Sequence, residues 1–146
     1  MTNDRVADLV DDAVDVEGIR RYLRNSDVLF AVLFGSLVSD TAHESSDVDV
    51  ALQFPDEMTS KERFRHRNRL DAELQTYAER FVDVSDIEAL PVPVARAALR
   101  DGIRLVGDEQ EINAYRKRVE SEYETSAERR EQERREFIDR LAKGEL

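Results

Sequence analysis

Two apolar runs, joined through a glycine-serine turn and a pair of aspartates, constrain this chain more than any other feature. Val28-Leu29-Phe30-Ala31-Val32-Leu33-Phe34 stops at Gly35-Ser36, and after ten further residues Asp47-Val48-Asp49 opens a second run that continues to Phe54. The first run is short, rich in β-branched and aromatic side chains, and ends at a turn, so it predicts a buried strand over 28–34. Being apolar throughout, that strand belongs in the middle of its sheet. The second run alternates at its start: Asp47, Asp49 and Ala51 share one face, Val48, Val50 and Leu52 the other. Two carboxylates on one strand face repel each other. A divalent cation relieves that repulsion, and hard oxygen ligands suit Mg²⁺. The turn after the first strand offers free backbone N–H groups and the Ser36 hydroxyl, which suit a phosphate. Metal and phosphate side by side point to nucleotide chemistry; the plain alternative is a turn followed by a strand with two solvated aspartates.

The chain of 146 residues is long enough for one domain with a real core and too short for a separate substrate domain. No stretch approaches a membrane span and Met1-Thr2-Asn3-Asp4 carries no basic, apolar leader, so a cytosolic protein is expected. The absence of cysteine excludes disulfides, thiolate zinc sites and a cysteine nucleophile, and two isolated histidines, His43 and His66, argue against a histidine metal site. A net charge of −11 argues against direct nucleic-acid binding, which needs a basic footprint. Only three of the basic residues are lysines, against nineteen arginines. An acid-rich, lysine-poor surface suits high salt, where carboxylate repulsion is screened, and predicts a halophilic host; the plain alternative is an ordinary acidic protein.

Taken in order, residues 1–15 carry Val6, Leu9, Val10 and Ala13 at helical spacing and predict a loosely packed helix, and Val16–Arg24 a second one. A short helix from Ser36 to about Asp40 would aim its N-terminus at the phosphate site. Pro55 ends the second strand. Thr59 and Glu62 form a capping-box pattern ahead of a helix over 60–80, with Leu70, Leu74, Tyr77 and Phe81 as its buried stripe. The first half of that helix is strongly basic: either a solvated face whose arginine stems cover apolar surface, or a contact for triphosphate or an acidic partner. Phe81 to Ser85 predicts a third strand, with Asp83 facing away from Val82 and Val84. Pro91 and Pro93 bracket a loop, 94–100 is a short helix stopped at Asp101-Gly102, and Ile103 to Val106 is a last strand. Arg100 and Arg104 read as surface charge, with phosphate contact as the alternative. From Glu109 the chain is helical, with Ile112, Tyr115, Val119 and Tyr123 on one stripe. Glu124 to Glu136 holds no large apolar residue, and Phe137, Ile138 and Leu141 then reappear together. That cluster either docks on a partner or a second copy, or folds back on its own domain.

Gly35-Ser36, ten residues, then Asp47-Val48-Asp49 resembles the signature of the DNA polymerase β-type nucleotidyltransferases, and the short chain is similar to their minimal members, the MntA-like antitoxins. The motif spans Gly35 to Asp49, and looser agreement in element order runs from about Val28 to Leu105. Where such proteins usually carry a basic residue and a glycine, this chain has Ser39-Asp40, which removes a positive charge near the nucleotide. The resemblance implies an α/β (α+β) fold: a small mixed β-sheet flanked by helices, with a long C-terminal helix (108–146) as an extension available for partner docking. It implies Mg²⁺ held by Asp47, Asp49 and a third carboxylate on a later strand. Asp83 is the match and Asp86 the reserve. Gly35 and Ser36 would position the phosphates of ATP, and the Asp83 carboxylate would help take the proton of an attacking hydroxyl.

The acceptor implied by the resemblance is a tyrosine on a HEPN-family toxin, which the antitoxin would modify with AMP and so silence. Two other readings stay open: a non-catalytic antitoxin that neutralises its partner by binding, and a nucleotidyltransferase for a small hydroxylated molecule. A P-loop ATPase is not in competition, because the chain has no G-x-x-x-x-G-K-[ST] segment.

Overall fold

The computed structural model describes residues 14–35 and 47–144. In chain order these form α1 (Val16–Arg24), β1 (Phe30–Phe34), β2 (Val48–Gln53), α2 (Ser60–Leu74), a 3₁₀ turn (Gln75–Tyr77), β3 (Val82–Asp86), a second 3₁₀ turn (Ile87–Ala89), α3 (Val92–Asp101), β4 (Ile103–Gly107) and α4 (Glu109–Ala142). The four strands make one mixed sheet in the order β3-β2-β1-β4. β1 pairs antiparallel with both β2 and β4, while β2 and β3 run parallel.

Helices cover both faces of this sheet. On one face Ala31, Leu33, Val48, Val50, Leu52, Val82 and Val84 pack against Ile19 and Leu23 of α1 and Leu70 and Leu74 of α2. On the other, Phe30, Val32 and Ala51 meet Ala95, Ala98 and Leu99 of α3 and Ile112, Tyr115 and Val119 of α4. The Phe30 and Tyr115 rings meet edge to face with centroids 5.6 Å apart. This two-sided burial is why β1 reads as a continuous apolar run rather than an alternating one.

The expected fold class, α1, the Thr59–Glu62 capping box and the long last helix stand as predicted. Several boundaries and one core assignment do not. Val14 forms an isolated bridge to Ala78 and Asp15 caps α1, so the predicted first helix does not extend through them; residues 1–13 lie outside the described segments. The helix predicted over 60–80 ends at Leu74. Beyond it the Gln75 amide donates to the Arg80 carbonyl and accepts from Val82 N–H, which draws the chain back toward β3. Phe81 therefore sits past the helix and is 64% exposed, not part of its buried stripe. β3 begins at Val82 and reaches Asp86. Pro91 and Pro93 do not bracket a loop: Pro91 is the N-cap of α3 and Pro93 lies in its first turn, where a missing N–H costs nothing. Tyr123 is only half-buried, under the Arg96 guanidinium 4.5 Å from its ring centre.

Candidate active site

Sheet register assembles the site. In the β1–β2 pair Phe34 lies opposite Asp49, which brings the turn residue Gly35 against the Asp49 side chain. Gly35 has φ +87°, a conformation that glycine adopts freely and other residues only under strain. A β-carbon at position 35 would overlap the Asp49 Oδ2 atom and stand 3.1 Å from its Cγ. In the β2–β3 pair Asp49 lies opposite Asp83, so these two carboxylates are parallel-strand neighbours on the α3/α4 face.

Asp49 is partly buried, whereas Asp47 and Asp83 are exposed. Burial, then the negative charge of Asp83, then that of Asp47 push the Asp49 carboxyl above its ordinary range. Three like charges thus share one mouth of the sheet. Among the described residues no three acidic or histidine side chains form a ready-made cage for an ion. Mg²⁺ seldom uses such a cage; it is held by one or two carboxylates together with substrate phosphates and water. The donor set here, with Asp49 crowded by two other carboxylates beside the Gly35 backbone, fits that mode.

Of the residues singled out from sequence, Gly35, Asp47, Asp49 and Asp83 are brought together. Ser36, Ser39-Asp40, His43 and the short helix predicted at 36–40 lie outside the described residues. Asp86, the reserve carboxylate, points elsewhere: it caps the second 3₁₀ turn through Glu88 N–H and stands 3.5 Å from Arg63. In the basic half of α2, Arg63 and Arg67 are engaged within the chain, while Lys61, Arg65 and Arg69 are exposed. Arg63 pairs with Asp86 and Glu88, Glu88 in turn with Arg118 of α4, and Arg67 lies over the Phe64 ring. His66 stacks obliquely on Phe54, and Arg100 pairs with its neighbour Asp101. An apolar slot of about 390 Å³ opens beside Gly35, lined by Phe34, Pro93, Val94 and Ala97. Sequence reasoning passed over Asp71 and Gln75, whose side chains bond the outer edge of β3. The four-residue spacing of Arg67, Asp71 and Gln75 puts them on one helix face but does not show that a strand lies beside it.

A family model described as polymerase beta, nucleotidyltransferase matches residues 17–111, a span that holds β1, the turn, β2, β3 and all three aspartates. The chain belongs to the polymerase β nucleotidyltransferase family. No curated protein sequence matches it significantly. Among solved structures, the nucleotidyltransferase resembles a chain of a toxin–antitoxin complex with AMP-PNP (20% identity, TM-score 0.56, 97% of this chain and 99% of that one). It also resembles a chain of the MntA–HepT toxin–antitoxin complex (19% identity, TM-score 0.52, 95% of each). A third likeness is to a chain of the complex between a tri-AMPylated Shewanella oneidensis HEPN toxin and an MNT antitoxin (18% identity, TM-score 0.55, 87% of this chain and 98% of that one). At these identities the likeness is one of fold, and it extends over the long C-terminal helix as well as the sheet.

Proposed function

We propose that this nucleotidyltransferase is an antitoxin that transfers AMP from ATP to a tyrosine of a cognate HEPN-family toxin and thereby neutralises it. The observation that carries the catalytic part is the register: Gly35 against Asp49, and Asp49 beside Asp83. The acceptor is supported by the family and by the fold shared with chains of toxin–antitoxin complexes, one of them containing an AMPylated HEPN toxin. With ATP as donor, the cytosol is the expected compartment.

Asp47, Asp49 and Asp83 would hold Mg²⁺, which when bound supplies positive charge against the triphosphate and the leaving pyrophosphate. The backbone of Gly35 and the hydroxyl of Ser36 orient the phosphates. Because no side chain stands at position 35, phosphate oxygens can come down onto the backbone next to Asp49. The tyrosine oxygen attacks the α-phosphorus, the bond from that phosphorus to the bridging oxygen of pyrophosphate breaks, and the hydroxyl proton passes to Asp83, an exposed carboxylate on the neighbouring strand. Rate enhancement comes from alignment and charge placement rather than from a covalent enzyme intermediate. Part of the toxin contact is assigned to Phe137, Ile138 and Leu141, about half exposed on the far end of α4.

Purified protein, labelled ATP and Mg²⁺ at high salt, with and without the toxin, test this. Label is expected on toxin tyrosine and is expected to vanish in the Asp47→Ala/Asp49→Ala protein. Toxin neutralised in cells by that double variant would instead establish the binding-only antitoxin. Label on a low-molecular-weight product alone would establish a small-molecule transferase.

A further inference from the structure

Among the described residues β3 is an edge strand, and the backbone groups on its outer side have no strand there to pair with. Side chains of α2 and of the turn that follows it pair them instead. Gln75 Oε1 accepts from Val82 N–H at 3.0 Å, while its Nε2 donates to the Arg80 carbonyl at 2.7 Å. Asp71 Oδ1 accepts from Val84 N–H at 2.7 Å. Arg67 Nη1 donates to the Val84 carbonyl at 3.4 Å and stands 3.8 Å from the Asp71 carboxylate. One turn earlier Arg63 pairs with Asp86. Positions 63, 67, 71 and 75 thus run antiparallel to the strand, from 86 back to 82. Arg67 and Asp71 both reach Val84, so three helical steps of about 6 Å each are served by two strand steps of about 6.6 Å each.

Asp83 lies between the two residues held this way. With Val82 and Val84 bonded outward, alternation turns the Asp83 N–H and C=O toward β2 and its side chain toward the site face. β2 and β3 share only five register pairs, in the parallel arrangement that is weaker per residue. A slip of one residue would put Asp83 on the wrong face and Val82 or Val84 beside Asp49.

We infer that Asp71 and Gln75 are positioning residues for the nucleotidyl transfer: by locking the outer edge of β3 they fix the register that holds Asp83 opposite Asp49. The inference rests on the catalytic reading of Asp83 given above. Removing either side chain leaves the three aspartates in place chemically but frees the strand that carries one of them. The turn at Gly35 follows β1, two strands away from β3, and β1 keeps its own pairing to β2.

The test compares Asp71→Ala, Asp71→Asn and Gln75→Ala with the unsubstituted protein, each with Mg²⁺, ATP and the toxin acceptor. Amide exchange at Val82 and Val84 is followed alongside. Faster exchange at these two amides, with β1 amides unchanged, is expected in both alanine variants. For Asp71→Ala, kcat is expected to fall at least about tenfold with KM for ATP within about twofold, the pattern of a displaced reacting group. Asp71→Asn, whose amide oxygen can still accept from Val84 N–H, is expected to recover most of the rate. Unchanged kcat in both alanine variants, with faster exchange at Val84, would reduce the lock to edge protection and overturn the inference. Should Asp71→Ala fail to fold, Gln75→Ala carries the same comparison. Absence of transfer by the unsubstituted protein overturns the functional reading itself, and the positioning role with it.

Discussion

The Gly35 backbone lies so close to the Asp49 carboxylate that a single added methyl group would overlap Oδ2. The glycine is required twice over, because its φ of +87° costs any other residue about 1–3 kcal/mol. Gly35→Ala is therefore expected to push Asp49 aside and to fill the space proposed for phosphate. Transfer from ATP should fall at least about 100-fold, the cost expected for misplaced reacting groups. Calorimetry and an ATP-turnover assay on the same preparation check both effects.

Asp49 itself stands in a conflict between folding and chemistry. Its carboxyl is raised by burial and by Asp83 and Asp47. The native state thus holds the proton more tightly than the unfolded chain does, and stability falls as pH rises through the window between the two pKa values. Above that window the full repulsion is present. Asp49→Asn removes it, so this variant is expected to melt about 2–4 °C higher at pH 7 while losing transfer. The difference in melting temperature should shrink as pH is lowered toward the ordinary carboxylate range. A melting temperature at pH 7 equal to or below that of the unsubstituted protein would contradict the charge crowding.

How much of this was legible beforehand differs by element. The strands flanking the Gly-Ser turn are readable because both sheet faces are buried, so Phe30 to Phe34 is apolar throughout and Val48 to Phe54 is apolar apart from Asp49 and Gln53. The placement of Gly35 and Asp49 followed from a motif whose two halves meet through antiparallel pairing. Phe81 was misplaced because a run of helical spacing does not reveal where the chain turns. That point is set by the Gln75 side chain bonding forward to Arg80 and Val82, a tertiary decision. The edge lock was illegible for a similar reason: Asp71 and Gln75 look like any polar residues on a helix surface until the strand beside them is known. Proline punctuates loops and opens helices alike, so Pro91 and Pro93 do not by themselves mark the start of α3, where they stand at the N-cap and in the first turn.

The distal half of α4 contributes nothing buried to the domain. The buried residues of this helix are Ile112, Tyr115 and Val119, while Phe137, Ile138 and Leu141 face solvent. Its ion pairs, such as Arg134–Glu131 and Lys143–Asp139, are exposed and weigh little. A chain ending at Ser126 is expected to melt within about 2 °C of the full protein. If the apolar cluster contacts the toxin, the truncated protein should bind it at least about tenfold more weakly, as loss of a small apolar anchor group predicts. Melting curves and titration calorimetry with the toxin separate the two effects. A large drop in melting temperature would mean instead that the far end of the helix supports the domain.

Salt should act on this protein against the usual direction for ion-paired surfaces. With 33 acidic and 22 basic residues, carboxylates outnumber cations by eleven, so negative charge is in excess over the surface. The ion pairs present, among them Arg20–Glu17, Arg100–Asp101 and Arg118–Glu122, are partly or fully exposed. Each contributes little to stability and is weakened by salt. The repulsion among carboxylates is spread over the whole surface, and shortening the Debye length from about 10 Å at 0.1 M to about 3 Å at 1 M suppresses it. Repulsion therefore outweighs the lost ion pairs, and the melting temperature is expected to climb steadily from 0.1 to 2 M KCl. Potassium chloride is the salt for the test because sulfate would stabilise almost any protein by exclusion from its surface. A flat or falling profile would show that the acidic composition is not an adaptation to high salt.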